Sequence, residues 1–177
     1  METILMSIKP KYCELIASGK KTIEVRKTRP KIKPPFRVCM YCTKASKQYQ
    51  TVCGSMVMND DELYRLPTGE IKYGNSLELL GAYSGEYNED NFLNGKVIGE
   101  FICDEVSGGF WVPPFSDKMQ ERSCLTYEEA RAYAYGKPLV CMSISECGIY
   151  DKPKELTEFN LTRAPQSWCY VESELNK

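Results

Sequence analysis

The chain reads as an α+β protein, a small β-barrel with two or three short helices and one inserted segment. Three observations lead there. Five or more short apolar or alternating runs follow one another without the regular strand–helix alternation of a parallel sheet. At 177 residues the chain suits one domain with a substantial core. Composition also changes over residues 44–94, where Gly, Asn, Tyr and acidic residues dominate. The expected organisation is a single domain over 1–177, with an insertion at 44–94 and a C-terminal extension at 151–177.

Each element has its own signal. "KPKYCELIASGK" spaces Tyr12, Leu15 and Ile16 for a helix, with Pro10 in the first turn and Gly19 at a left-handed C-cap. "KTIEVRK" alternates: Ile23 and Val25 share one strand face, while Thr22, Glu24 and Arg26 share the other, away from the core. "RPKIKPPF" is a proline-broken connection and "FRVCMYCT" a buried strand. Within the insertion, "VCGSMVM" and "EIKYG" form at most a pair of hairpin strands. "KVIGEFICDEV" at 96–106 is a strand, followed by the aromatic loop "GGFWVPPF". Phe110, Trp111 and Phe115 in that loop suit base stacking, although plugging of a barrel end is the commoner use of such a loop. "SCLTYEEARAYAYG" is a helix capped at Thr126, with Glu128 and Glu129 in its first turn and a stop at Gly136. "LVCMSISECGIY" is a strand, "KPKELTEF" a helical turn, and "SWCYVE" a last short strand in which Trp168 and Tyr170 close the core or present a stacking platform.

Composition removes whole classes of chemistry. There is no histidine, so Ser-His-Asp and Cys-His catalysis are excluded along with every His-containing metal site. Nine scattered cysteines suit reduced, buried thiols. "CMYC" has CxxC spacing, but in a strand that spacing turns Cys39 and Cys42 to opposite faces, and there is no second CxxC to complete a zinc site. No metal or cofactor is expected. No signal peptide and no run of about 18–20 apolar residues is present, so a soluble, cytoplasmic protein without a membrane partner is expected.

Charge is segregated. Residues 1–50 hold twelve Lys/Arg against three Asp/Glu, and residues 51–177 hold eleven against twenty-one. Such a division gives a positive face suited to phosphate-bearing ligands, or is neutralised across the fold. Its focus is "SGKKTIEVRKTRP", where Lys20, Lys21, Arg26, Lys27 and Arg29 surround the single acid Glu24. A lysine desolvated in a cleft can act as a base, with a carboxylate beside it to fix its geometry or activate water. Arg26 can clamp a phosphate, and Lys20, Lys27 and Arg29 can attract a polyanion regardless of sequence. The plain alternative is a solvated ion pair worth at most about 1 kcal/mol.

Gly19, Lys21, Glu24 and Arg26 fit G-x-K-x-x-E-x-R between a short helix and a strand. With the leading "ILMSIKPKYCELIASGKKTIEVR" and the later "GKVIGEFICDEV", this resembles the ASCH family (activating-signal-cointegrator homology) of the PUA-like superfamily, over residues 3–43 and 96–150. The resemblance implies a PUA-like β-barrel with a cleft where strand and helix meet, and a role in RNA binding or processing. Relatives of this type include bacterial, phage and prophage proteins. Some hydrolyse N(4)-acetylcytidine with a lysine, a threonine and a glutamate, and others are assigned ribonuclease activity. Lys21 falls on that lysine. The nucleophile position holds Glu24, with Thr22 nearby, and Glu121 in "QERSCLT" aligns with the glutamate.

The leading expectation is therefore RNA or a modified nucleotide bound in a cationic cleft by Lys20, Lys21, Glu24, Arg26, Arg29 and Trp111. The alternative is a hydrolase of an acylated nucleoside or RNA phosphodiester using Lys21, Glu24, Glu121 and Thr22. A further alternative is a protein-interaction or host-modulating module whose acidic insertion meets a partner.

Overall fold

Six consecutive buried residues, Thr3–Ile8 (β1), start the chain and form the frame on which the site is built. A strand buried on both faces carries no polar alternation, so its apolar run gives no period-2 signal. The computed structural model describes residues 1–44, 49–52, 55–58, 63–65, 94–110 and 116–172. After β1 come α1 (Pro10–Ala17), β2 (Ile23–Arg26) and β3 (Phe36–Cys42). Short strands β4 (Tyr49–Val52), β5 (Ser55–Met58) and β6 (Leu63–Arg65) lie within the expected insertion. Then follow β7 (Val97–Cys103), β8 (Val106–Phe110), α2 (Asp117–Ser123), α3 (Tyr127–Ala134), β9 (Leu139–Ser143), β10 (Ser145–Lys154), a 3₁₀ turn at Leu156–Phe159 and β11 (Trp168–Val171).

The main sheet has five strands in the order β10-β7-β3-β1-β11. β1 runs parallel to β3, with Ile4 beside Val38 and Met6 beside Met40, and antiparallel to β11. One face packs Ile4, Met6, Ile8, Val38 and Met40 against Cys13 and Ile16 of α1. The other packs Leu5, Cys39 and Tyr41 against Phe159. Cys39 and Cys42 accordingly lie in different apolar clusters on opposite sides of β3, as the CxxC spacing in a strand requires. Phe36, Met40 and Phe101 are fully buried, and each such side chain contributes roughly 1.5–3 kcal/mol by leaving water.

A second sheet, β2-β9-β8, places β2 at its edge. Ile23 and Val25 pack with Leu139 and Cys141 against Ala130 and Ala134 of α3. A third sheet consists of β4-β5-β6. The "VCGSMVM" stretch spans the junction of β4 and β5, whereas "EIKYG" lies outside the described residues.

Several expectations are revised. Among the described residues the strands form separate open sheets and do not close into a barrel. "KVIGEFICDEV" divides at Asp104–Glu105, and "LVCMSISECGIY" divides at Ile144. At each break the chain leaves one sheet for the other. The two crossing points are tied together: the Glu105 amide donates to Ser143 Oγ at 2.8 Å, and the Ser143 amide to the Glu105 carbonyl at 2.9 Å. The helix α2 is additional, started by Ser116 Oγ accepting from the Met119 amide. In "KPKELTEF" the lysines remain in β10 and the helical part is one 3₁₀ turn. Trp111 and Phe115 of the aromatic loop lie outside the described residues. Among the described residues no helix is long and apolar enough to cross a membrane.

Candidate ligand pocket

The site begins at the end of α1. Gly19 takes φ 73°, a left-handed conformation that an L side chain resists, and its amide caps the Ile16 carbonyl at 2.9 Å. The Lys21 amide then bonds the Leu15 carbonyl at 2.8 Å. This tight exit turns the Lys21 side chain inward ahead of β2.

Lys21, Glu24 and Arg26 converge, and all three are buried. Glu24 Oε1 accepts from Arg26 Nη2 at 2.9 Å, and Glu24 Oε2 lies 3.4 Å from Lys21 Nζ. Lys21 Nζ also donates to the Ser123 carbonyl at 2.6 Å and sits 5.1 Å from the centre of the Tyr12 ring. Arg26 Nη2 donates to the Ser7 carbonyl at 2.8 Å, joining β2 to β1. The alternation read from the sequence put Glu24 and Arg26 on the face away from Ile23 and Val25, and the structure agrees. That face does not meet solvent, however; Glu24 is only 5% exposed. A solvated surface pair is thereby ruled out, because a charge taken this far from water needs close partners.

Above the three side chains lies a cavity of about 610 Å³. Tyr12 from α1, Leu125, Glu129 and Tyr133 from the α3 region, and Gln166 and Ser167 from the segment before β11 contribute to its walls. The capping box of α3 fixes Glu129, whose Oε2 accepts from the Thr126 amide at 2.8 Å while its own amide donates to Thr126 Oγ1 at 3.1 Å. The tail wall is fastened to β1: Ser7 Oγ donates to the Pro165 carbonyl at 2.6 Å, and the Ser7 amide to the Ser167 carbonyl at 2.9 Å. Burial raises the Tyr12 phenol above its ordinary pKa, and the carboxylates of Glu129 and Glu24 add to the rise. Tyr12 is therefore a neutral hydrogen-bonding group at physiological pH. Two buried polar atoms on the floor, Glu24 Oε2 and Arg26 Nε, have no hydrogen-bond partner among the described residues. One is an acceptor and the other a donor.

Of the residues singled out from sequence, the cavity brings together Lys21, Glu24 and Arg26. Thr22 lies outside the lining, its Oγ1 accepting from Arg122 Nε at 3.2 Å. Glu121 is exposed on α2 and does not line the cavity. Lys20 and Arg29 are exposed beyond the lining, and Trp111 lies outside the described residues. Sequence reasoning did not find Tyr12, Glu129, Tyr133 or Gln166 as site residues. The first three were visible as positions on amphipathic helices, but nothing local marked which helix faces would meet.

Comparison with known proteins agrees with this architecture. Residues 6–60, which contain the end of β1, all of α1 and β2, and the three floor residues, match the ASCH domain. The fold is shared with the crystal structure of ASCH from Zymomonas mobilis, at TM-score 0.60 and 17% identity, covering 97% of this chain and 89% of that one. A tyrosine-to-phenylalanine variant of the Zymomonas mobilis protein superimposes at TM-score 0.62 and 16% identity, covering 98% of this chain and 93% of that one. A serine-to-alanine variant gives TM-score 0.60 and 16% identity, with 97% and 89% covered. No curated protein matches the sequence.

Proposed function

We propose that this chain, built on the ASCH fold, binds RNA by taking one nucleotide, ordinary or modified, into the cavity above Lys21, Glu24 and Arg26. The observation that carries the reading is a buried carboxylate held between two buried cations on the floor of a cavity of about 610 Å³. That volume falls within the roughly 300–1,000 Å³ of small-molecule sites. The floor combines donors and an acceptor, as the edge of a nucleobase requires, and Tyr12 and Tyr133 give the walls aromatic surface for its faces. Glu24 Oε2, held only by its 3.4 Å ion pair to Lys21, and Arg26 Nε, with no hydrogen-bond partner among the described residues, support the same reading, because buried polar atoms are ordinarily satisfied.

Calorimetric titration with nucleoside monophosphates and short RNA tests it. Binding should weaken with salt and fall at least tenfold in Lys21→Ala. Absence of salt-dependent binding to any of these ligands, or a Lys21→Ala protein that binds like the parent, would remove the proposal.

A second reading, hydrolysis of an acylated nucleobase or an RNA phosphodiester, has the Lys21–Glu24 pair in its favour. The 3.4 Å contact places a cation beside a carboxylate able to activate water. Thr22 and Glu121 do not line the cavity, so hydrolysis there would rely on Glu24 and not on a threonine nucleophile. Product formation from acetylcytidine or RNA should then be abolished by Glu24→Gln and survive Thr22→Ala. Turnover unaffected by either substitution would eliminate this reading.

A further inference from the structure

The loop joining β2 to β3 has a role that the cavity does not absorb. Lys27, Arg29, Lys31 and Lys33 are all exposed, and among the described residues none lies within ion-pair distance of an acid. Buried Pro30 and Ile32 alternate with them, and Ile32 packs into the main core, so the cations are presented from an anchored backbone. The same loop is fastened to β11. Trp168 Nε1 donates to Thr28 Oγ1 at 3.0 Å, and the Lys31 amide donates to the Tyr170 hydroxyl at 2.8 Å. Trp168 and Tyr170 meet edge to face, with ring centres 5.4 Å apart, and Tyr170 is 50% exposed.

This surface is continuous with the cavity at two points. Lys27 Nζ lies 4.8 Å from the centre of the Tyr133 ring, and Tyr133 lines the cavity. Ser167, which also lines it, directly precedes Trp168 in the chain.

We propose that the 27–33 loop and the Trp168–Tyr170 edge form a track for single-stranded RNA leaving the cavity, with the cations on phosphates and Tyr170 under an unstacked base. The track starts from the proposed pocket but is a separate claim: the ligand is a residue within a strand and not a free nucleotide. Unpaired cations select a polyanion. A half-exposed aromatic face beside them selects one that displays planar bases, which a single strand offers and a duplex or an acidic peptide does not.

The test compares uridine 5′-monophosphate, a six-nucleotide oligouridylate and a six-residue oligoglutamate by calorimetry at several salt concentrations. The oligouridylate should bind at least tenfold more tightly than the mononucleotide. In a Lys31→Gln/Lys33→Gln protein its affinity should fall about tenfold, and its salt slope should fall by about 0.7 per lost phosphate contact, while mononucleotide binding stays unchanged. Tyr170→Ala should cost about tenfold for the oligouridylate, within the roughly 1–3 kcal/mol of one stacked base. Tyr170→Phe, which keeps the ring and removes the hydroxyl, should retain affinity. An oligouridylate no tighter than the mononucleotide, or indifferent to the lysine pair, overturns the track while leaving the pocket intact. Oligoglutamate binding as tightly as RNA also overturns it. RNA binding that depends on Lys31 and Lys33 without any mononucleotide binding upholds the track and removes the pocket reading.

Discussion

Within the basic stretch Lys20–Lys33, two regions treat the same kind of side chain in opposite ways. Lys21 and Arg26 are buried and grip Glu24, whereas Lys27, Arg29, Lys31 and Lys33 stand in solvent with no acidic partner among the described residues. The difference shows what burial does to a charge. In water a lysine needs no partner and a surface ion pair is worth little. Out of water each cation demands compensation, and Glu24 supplies it to both. The lone acid in a basic strand is therefore the neutralising centre of a buried group.

Breaking that centre should give the largest effect. Glu24→Gln keeps the shape but leaves Lys21 and Arg26 uncompensated, so urea unfolding should show a loss of about 3–5 kcal/mol. A loss below about 1 kcal/mol would mean that the three side chains are effectively solvated.

Alkali should reveal burial next. Burial raises the Cys39, Cys103 and Cys147 thiols from 9.0 to about 11, and lifts the Tyr12 phenol above 10.0. Between the unfolded and folded pKa values the folded chain keeps protons that the unfolded chain has lost. Stability should hold below pH 9 and decline from 9 towards 11. Unfolding midpoints across that range would show it, and a flat profile would contradict the burial of these groups.

The α3 wall is worth less. Thr126→Ala removes the cap that positions Glu129, and should cost about 1 kcal/mol in thermal unfolding. At the exposed end of the comparison, Lys20→Ala should change stability by less than about 0.5 kcal/mol. Its effect should be confined to the salt dependence of RNA binding.

How much of this was legible follows from where the information resides. The helix α1, its Gly19 exit and the capped helix α3 are written in local residue types and were read correctly. The parity of β2 was also legible, since alternation alone puts Lys21's partners Glu24 and Arg26 on one face. That the face would be buried was not, because its cover comes from Tyr12, α3 and Gln166–Ser167, which are distant in the chain. β1 was missed because a strand buried on both faces, TILMSI, shows no period-2 alternation, and α2 because "DKMQERS" is short and largely polar. The breaks at Asp104–Glu105 and Ile144 went unseen because a strand that changes sheets stays extended on both sides of the crossing. The ASCH resemblance was carried by Gly19–Arg26, which lies within the matched residues 6–60.

The most direct measurement is a crystal of the protein soaked with cytidine 5′-monophosphate. Difference density for the base is expected in the cavity lined by Tyr12 and Tyr133, within hydrogen-bond reach of Glu24 or Arg26. A nucleotide seated elsewhere, with this cavity empty at saturating ligand, would contradict the assignment of the buried carboxylate and its two cations to a binding site.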